Sequence, residues 1–269
     1  MNTPASSQIF DGKRFLAVMR RDWRLERNSW AIRILAMFGV LLMVELFAAW
    51  LFVAANGFYE DSYPVIKYTC WFMLSLFACL GASQFHSGYA TAGGRLNELM
   101  NPASTLEKFC SRLIFCVVAV PLVYAACWEI ADWVRVFVLD SYFNVSTTKH
   151  VSILDAGHMI FERHNIILSW FSLASSQAAY VLGSTIWPKN SFIKTLGAMA
   201  VVQFIYGFAA EYVSSTLFHG RTVDVPVVDF QAIADIFINT VTIASIVSAL
   251  FCYIVAYFRM REDEIIQRM

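Results

Sequence analysis

The chain has 269 residues, of which 58% are hydrophobic and only 15% are charged, and its formal net charge is zero. A balance this apolar excludes an ordinary soluble domain, and a neutral chain offers no basis for binding a nucleic acid. Charged residues are absent from stretches of about twenty residues, the length of a helix that crosses roughly 30 Å of hydrocarbon. We therefore expect an all-α integral membrane protein that crosses the lipid bilayer several times.

The first segment, residues 1–33, is polar and lacks the apolar core of a cleaved signal peptide, so we expect the first span to be an uncleaved anchor. Projected as a helix, residues 10–30 place Phe15, Met19, Trp23 and Trp30 on one arc. The opposite arc carries the basic residues Lys13, Arg14, Arg20, Arg21, Arg24 and Arg27. This pattern predicts an amphipathic helix in the inner headgroup plane, with a solvated basic tail as the alternative.

Six apolar segments follow and define a transmembrane domain over residues 34–258. The approximate spans are 34–55, 66–86, 113–136, 166–187, 195–215 and 234–258, and residues 259–269 form a charged C-terminal helix. With six spans, fifteen of the twenty lysines and arginines lie on the side that carries both termini. The excess of positive charge predicts a multi-pass protein of the cell, or inner, membrane with both termini in the cytoplasm, provided that all six spans are real.

Four features within the spans call for an explanation. Glu45 lies near the middle of the first span, where a charge is costly and marks a pathway, a relay or a paired interface; the alternative is a structural role, in which Glu45 is protonated and hydrogen-bonded to a neighbouring helix. Pro121 interrupts the third span, which a membrane helix tolerates when a neighbouring side chain satisfies the freed carbonyl. At the outer end of that span, Glu129, Asp132 and Arg135 share one helix face and are expected to form interfacial ion pairs rather than a catalytic group. The small residues of the fourth span (Ser172, Ser176, Ala179 and Gly183) predict close helix packing, or else a polar pathway lining.

The connection between spans two and three, RLNELMNPASTLEKFCSRLI, contains a turn and a helix start. Asn101-Pro102 favours a turn because Pro102 lacks a donor and disfavours helical geometry at Asn101. Ser104 and Glu107 have the spacing of a capping box, which starts a new helix near Thr105. RLNELM forms a short helix before the turn. We call residues 95–109 the elbow; it is either an ordinary helical turn or a lever that receives force from a cytoplasmic partner.

The elbow carries a resemblance to a known family. Pro102-Ala103-Ser104 and Leu106-Glu107-Lys108-Phe109 resemble the PAS-x-LEKF signature between the second and third spans of a subgroup of ABC-2 type transporter permeases. The resemblance implies a permease subunit that pairs with a second permease chain, identical or paralogous, and with a separate ABC ATP-binding subunit. ATP and Mg²⁺ would be bound by that subunit. The elbow would be the coupling helix, with partner-binding residues Glu98, Asn101, Pro102, Ser104, Glu107 and Lys108.

The chain contains no GxxxxGK[ST] phosphate loop, no HExxH and no nucleophilic GxSxG motif, so we expect it to be no enzyme by itself and to hold no cofactor or metal. The outer-loop residues His150, His158 and His164 match no standard zinc spacing. The alternative is a stand-alone carrier or an intramembrane enzyme. A carrier would have two related halves with interrupted spans, and an enzyme would have several ionisable groups at one depth.

Overall fold

The computed structural model describes residues 10–56, 63–143, 149–158, 166–218 and 230–266, and every regular element in these ranges is helical. The prediction of an all-α fold is therefore confirmed for the described part of the chain. Its α-helices are α1 (Gly12–Asn56), α2 (Tyr63–Ser83), α3 (Ala92–Leu99), α4 (Thr105–Leu113), α5 (Val120–Phe143), α6 (Ile153–His158), α7 (Ile166–Ile186), α8 (Ser191–Phe218) and α9 (Phe230–Ile266). A 3₁₀ turn at Ser87–Ala90 precedes α3, and a π-helical segment at Ile114–Ala119 joins α4 to α5.

Five helical segments of the described residues are long and apolar enough to cross a membrane. They are Gly12–Leu51, Tyr63–Ser83, Thr105–Ser141, Ser191–Ala209 and Asn239–Glu264. The predicted fourth span corresponds to α7, which has 21 residues but is not among the five. Four serines and Gln177 between residues 169 and 177 lower its hydropathy. The membrane-embedded class is thus supported by five helices, and the count of six spans stays a prediction.

Helices α1 and α9 are longer than the sequence predicts. No helix boundary separates the basic residues 12–33 from the first span, because α1 contains no proline and runs unbroken for 45 residues. Its length of about 68 Å exceeds the roughly 30 Å of hydrocarbon, so part of it extends beyond the membrane. Likewise α9 continues to Ile266 without a boundary at residue 258. The predicted terminal helices are therefore continuations of the first and last spans.

Two buried clusters hold the helices together. The first joins α1, α2, α5, α6 and α7, and it includes the completely buried Tyr124 and Trp128. Tyr124 donates a hydrogen bond to the backbone oxygen of Cys70 at 2.8 Å, and Trp128 donates to that of Val151 at 3.0 Å. The second cluster joins α2, α4, α7 and α9, where the Phe109 ring contacts the rings of Phe85 and Tyr257. This second cluster lies directly beneath the elbow.

The polar side chain of α7 explains how the third span tolerates Pro121. Pro121 has no N–H to donate to the carbonyl of Val117, four residues earlier, so this oxygen lacks its helical partner. Gln177 Nε2 donates to the Val117 oxygen at 3.2 Å. The expectation that a neighbouring side chain satisfies the freed carbonyl is therefore confirmed, and the same contact gives Gln177 a structural reason to lie within the bundle.

Candidate functional site

The elbow consists of two short helices that meet at a turn. At the start of α3, the Thr91 hydroxyl accepts a hydrogen bond from the Gly94 amide at 3.2 Å. A glycine is needed at 94, because a Cβ atom there would lie 2.1 Å from the oxygen of Gly88. At the start of α4, Ser104 Oγ accepts from the Glu107 amide at 3.3 Å, and Glu107 Oε2 accepts from the Ser104 amide at 3.0 Å. The predicted capping box is confirmed.

Glu107 is completely buried and connects α4 to the beginning of α1. Its Oε2 atom lies 2.7 Å from Arg14 Nε, and its Oε1 atom accepts a hydrogen bond from the backbone N–H of Asp11 at 2.8 Å. Together with the Ser104 amide, these contacts satisfy both oxygens of the carboxylate. A hydrogen-bonded and paired carboxylate is what allows a charge to be buried at this position.

Lys108 is 2% exposed and connects α4 to the end of α9. Its Nζ atom lies 3.0 Å from Glu264 Oε1 and donates a second hydrogen bond to the backbone oxygen of Glu98 at 2.9 Å. Glu264 is itself 5% exposed, and its other oxygen accepts from the Thr105 hydroxyl at 2.6 Å. The side chain of Lys108 therefore joins α3, α4 and α9 at one point.

Three further contacts link the elbow and α4 to the rest of the chain or to each other. Glu98 Oε1 lies 2.7 Å from Arg112 Nη2. The Asn97 backbone oxygen accepts a hydrogen bond from the Arg21 side chain at 3.3 Å. In α4, the Ser111 hydroxyl donates to Asp22 Oδ2 at 2.9 Å. Five contacts of the elbow and α4 thus involve α1 or α9. They place the N-terminal turns of α1, the elbow and the C-terminal turns of α9 at one end of the bundle, which we call the elbow end.

These contacts change the roles assigned to the predicted site residues. Glu107 and Lys108 are buried, and Glu98 is half-buried in its pair with Arg112, so all three hold the elbow to the rest of the chain. Their direct contact with a partner stays a prediction. Asn101 is half-buried and Pro102 is exposed in the turn, and Ser104 is used in the capping box.

Two large apolar side chains of the elbow are strongly exposed, a feature that could not be read from the sequence alone. Leu96 is 61% exposed and Met100 is 82% exposed. They are four residues apart, so they lie on the same side of α3 and form a small apolar patch flanked by the exposed Arg95 and Asn97. We call Leu96 and Met100 the elbow patch. The spacing is visible in RLNELM, but the exposure of these two side chains depends on which side of α3 faces the bundle, and Glu98 and Leu99 are the half-buried residues of that side.

His86 is a second residue at the elbow end that sequence reasoning missed. It is completely buried, its ring is stacked on that of Tyr89 with 4.1 Å between centroids, and its Nε2 atom lies 3.2 Å from Asp263 Oδ2. Burial lowers the pKa of His86 below its ordinary value, and the hydrogen bond to Asp263 opposes this shift. The ring is therefore held in its neutral form near pH 7.

Charged residues inside the spans lie far along the chain from the elbow and form a separate group. Asp132 and Arg135 are a fully buried ion pair, with Asp132 Oδ1 2.8 Å from Arg135 Nε. Asp132 Oδ2 also accepts from the Val151 amide at 2.9 Å, and Arg135 donates to the Lys149 oxygen at 3.1 Å. The predicted ion pair between Asp132 and Arg135 is confirmed, but it is buried. Its hydrogen bonds to the backbone of Lys149 and Val151 hold residues 149–151 against α5.

Glu45 is 1% exposed within α1, close enough to Asp132 and Arg135 to interact with them electrostatically. Neither of its oxygens has a hydrogen-bond partner among the described residues. The interpretation in which a protonated Glu45 is hydrogen-bonded to a neighbouring helix therefore finds no partner for the carboxyl in the described part of the chain. His150 pairs with Glu129 at 2.9 Å, whereas His164 lies outside the described residues.

Comparison of the chain with protein-family models, with curated proteins and with solved structures finds no match.

Proposed function

We propose that the chain is the permease subunit of an ATP-driven ABC transporter and that the elbow is its coupling element. One observation carries the proposal: two buried residues of the elbow form ion pairs with the first and the last long helix, yet the elbow exposes an apolar patch at its tip. Glu107 binds Arg14 of α1, and Lys108 binds Glu264 of α9. A turn that merely connects two helices needs neither contact.

The contacts make the elbow suitable for passing force into the bundle. Breaking the Lys108–Glu264 pair would leave an uncompensated buried charge, at a cost of about 3–5 kcal/mol, and loss of Arg14 would remove the cation of the buried Glu107 carboxylate. A partner that pushes on α3 would therefore displace α1, α4 and α9 together rather than unfold the turn. The resemblance of residues 102–109 to the permease signature supports the same assignment, with ATP and Mg²⁺ bound by the partner.

A second permease chain would cover the exposed side of α8. Val202, Phe204, Ile205, Tyr206 and Phe208 are all exposed, and so is Gln203 in the middle of this apolar helix. A glutamine amide that faces lipid has no partner for its donors and acceptors, which is costly in hydrocarbon. Contact with the same or a related chain would provide one. The lysine and arginine distribution favours the cell membrane, with the elbow end in the cytoplasm.

The test is copurification from membranes of the native host. A tagged wild-type chain should retain a protein with a Walker A motif and vanadate-sensitive ATP hydrolysis. Changing the elbow patch to Leu96→Asp and Met100→Asp should abolish retention, because two carboxylates would be desolvated in the contact. Leu154→Asp is the matched control, since Leu154 is 59% exposed but belongs to α6, and it should retain the ATPase.

The variants must behave as folded proteins in gel filtration before retention is compared. If the wild type retains no ATPase, or if the Asp variant retains as much as the wild type, then the elbow patch is not the coupling surface. The first of these results would favour the stand-alone carrier or the intramembrane enzyme.

A further inference from the structure

A cavity of about 410 Å³ opens at the elbow end, beside the elbow rather than on its patch. Its walls come from the residues after α2, from α3, from the connection between α7 and α8, and from the last turns of α9. Four cationic side chains line it: Arg95, Lys189, Lys194 and Arg259. They come from three separate parts of the chain, so the fold gathers them at one place.

The charges in the cavity are not balanced by the described residues. The single carboxylate in its wall is that of Asp263, which lies 3.2 Å from His86 Nε2. Arg259 has a long contact of 3.9 Å with Glu262. Within the described ranges, no ion pair is formed by Arg95, Lys189 or Lys194. Gathering like charges is unfavourable, and a bound anion would remove the cost.

Two buried polar atoms in the wall are also unsatisfied. His86 Nδ1 and Tyr89 Oη have no hydrogen-bond partner in the described part of the chain, and the two side chains are 0% and 4% exposed. Buried polar atoms are nearly always hydrogen-bonded, and an exception calls for a missing water, ion or ligand. These two residues belong to the buried part of the cavity lining, whereas Lys189 and Lys194 are exposed.

We propose that this cavity binds a phosphate or diphosphate group. Lysine and arginine form short charge-assisted hydrogen bonds to phosphate oxygens, and several cations around one anion give the necessary charge balance. A volume of this size suits a headgroup or a small phosphate ester. Its place between the ends of membrane helices also suits the headgroup of an anionic lipid, and Ile186 and Trp187 provide apolar surface beside it. The group is carried either by such a lipid or by a soluble phosphate ester.

Two probes distinguish these sources. Inorganic pyrophosphate is titrated calorimetrically into the full chain in neutral detergent, and phosphatidic acid is compared with phosphatidylcholine by native mass spectrometry of the delipidated chain. Saturable binding of pyrophosphate alone identifies a soluble ligand, and selective retention of phosphatidic acid identifies a lipid. Either result supports the site if the variants below behave as expected.

The critical variant is Lys189→Gln with Lys194→Gln, which should weaken binding by about tenfold or more. The matched control is Arg24→Gln with Arg27→Gln, because these two arginines are exposed and basic but do not line the cavity. It removes the same charge and should change affinity by less than about twofold. Lys189→Arg with Lys194→Arg keeps the charge and should keep binding.

Three results would overturn the proposal: no binding of either probe to the wild type, unchanged affinity in the Gln variant, or equal losses in the Gln variant and its control. The last would mean that general electrostatic attraction, not the cavity, holds the anion. If the double Gln variant does not fold, the single Lys194→Gln variant is judged by the same criteria. The binding measurements need no ATPase, so their result is independent of the proposed transporter function.

Discussion

The contact between Lys108 and Glu264 gives the most direct test of how the elbow is held. Lys108→Met removes the ammonium group while keeping most of the apolar stem, and it leaves the Glu264 carboxylate, 5% exposed, without its cation. Loss of one member of a buried pair costs about 3–5 kcal/mol. The Thr105 hydroxyl still donates to Glu264, so we expect the lower end, about 3 kcal/mol of unfolding free energy.

The second step of the test removes both charges. Lys108→Met combined with Glu264→Gln leaves no buried ion, and replacing a buried pair by neutral groups is often nearly neutral. We expect the double variant to lose only about 1 kcal/mol, because the Glu98 oxygen still loses its donor. The two substitutions should therefore be coupled by about 2 kcal/mol or more, depending on the cost of Glu264→Gln alone.

The free energies are measured by equilibrium unfolding in mixed micelles of neutral detergent and sodium dodecyl sulfate, followed by far-ultraviolet circular dichroism. Arg261→Met serves as the control, since Arg261 is exposed on the same helix, and it should change stability by less than about 0.5 kcal/mol. A loss below 1 kcal/mol in Lys108→Met, or additivity of the two substitutions, would refute the assignment of this pair as a structural link.

Two further predictions concern other parts of the bundle. A Cβ atom at Gly183 of α7 would lie 2.0 Å from Thr195 Oγ1, so Gly183→Ala should separate α7 from α8 and lower the melting temperature, at a cost of about 1–3 kcal/mol. Gly197→Ala is the control, because its Cβ atom would meet nothing within 4 Å, and it should be neutral or slightly stabilising. Equal effects of the two substitutions would contradict this packing of α7 against α8. Because burial holds the pKa of His86 below 6.5, the folded chain binds fewer protons there than the unfolded chain, so stability should fall as pH decreases below about 6.5. His86→Gln should flatten that part of a melting-temperature profile, and a variant with an unchanged slope would show that other groups cause it.

The part of the elbow that the sequence predicts is its local hydrogen bonding. Ser104 and Glu107 are three residues apart, and the capping box depends on little beyond that spacing. The structure has both hydrogen bonds. Pro121 is a similar case, since a missing N–H must leave a carbonyl free wherever the helix lies. The sequence therefore predicts that a carbonyl oxygen before Pro121 needs a donor, but it does not identify Gln177 as that donor.

The partners of the charged residues could not be predicted, because they depend on distant parts of the chain. Arg14 lies 93 residues before Glu107, and Glu264 lies 156 residues after Lys108. Without these partners, the two charged residues of the elbow seemed available for another protein. A general rule applies: a polar side chain in a loop is readily available for binding only if the fold has not already satisfied it, and direct contact of Glu107 or Lys108 with a partner stays a prediction.

Helix α7 shows that the hydropathy of a segment does not reveal what the helix packs against. The serines of α7 lower its hydropathy, yet Gln177 donates a hydrogen bond to the Val117 oxygen of the third span, and Gly183 packs closely against α8. A helix that faces other helices can be more polar than one that faces lipid, because its polar atoms find partners. Such packing would allow α7 to cross the membrane despite its lower hydropathy, and the sixth crossing stays a prediction.

Because α1 and α9 are continuous helices, the ion pairs of the elbow can pass a displacement of the elbow along both of them. If α1 ended near residue 30, its bond to Glu107 would hold only a surface helix, and motion of the elbow would stop there. Because α1 runs from Gly12 to Asn56, the Arg14 contact is made on the same rigid element as Glu45. Displacement of the elbow by about one ångström would thus be passed along α1 toward the buried charges near Asp132, and the contact of Lys108 with α9 would pass it along the last helix. A helix resists bending over such lengths unless it contains a proline, a π-bulge or a similar defect, and α1 contains no proline. If a partner binds the elbow patch as we propose, Glu45 lies on the helix that would carry the displacement, and its carboxyl has no hydrogen-bond partner among the described residues to hold it in place.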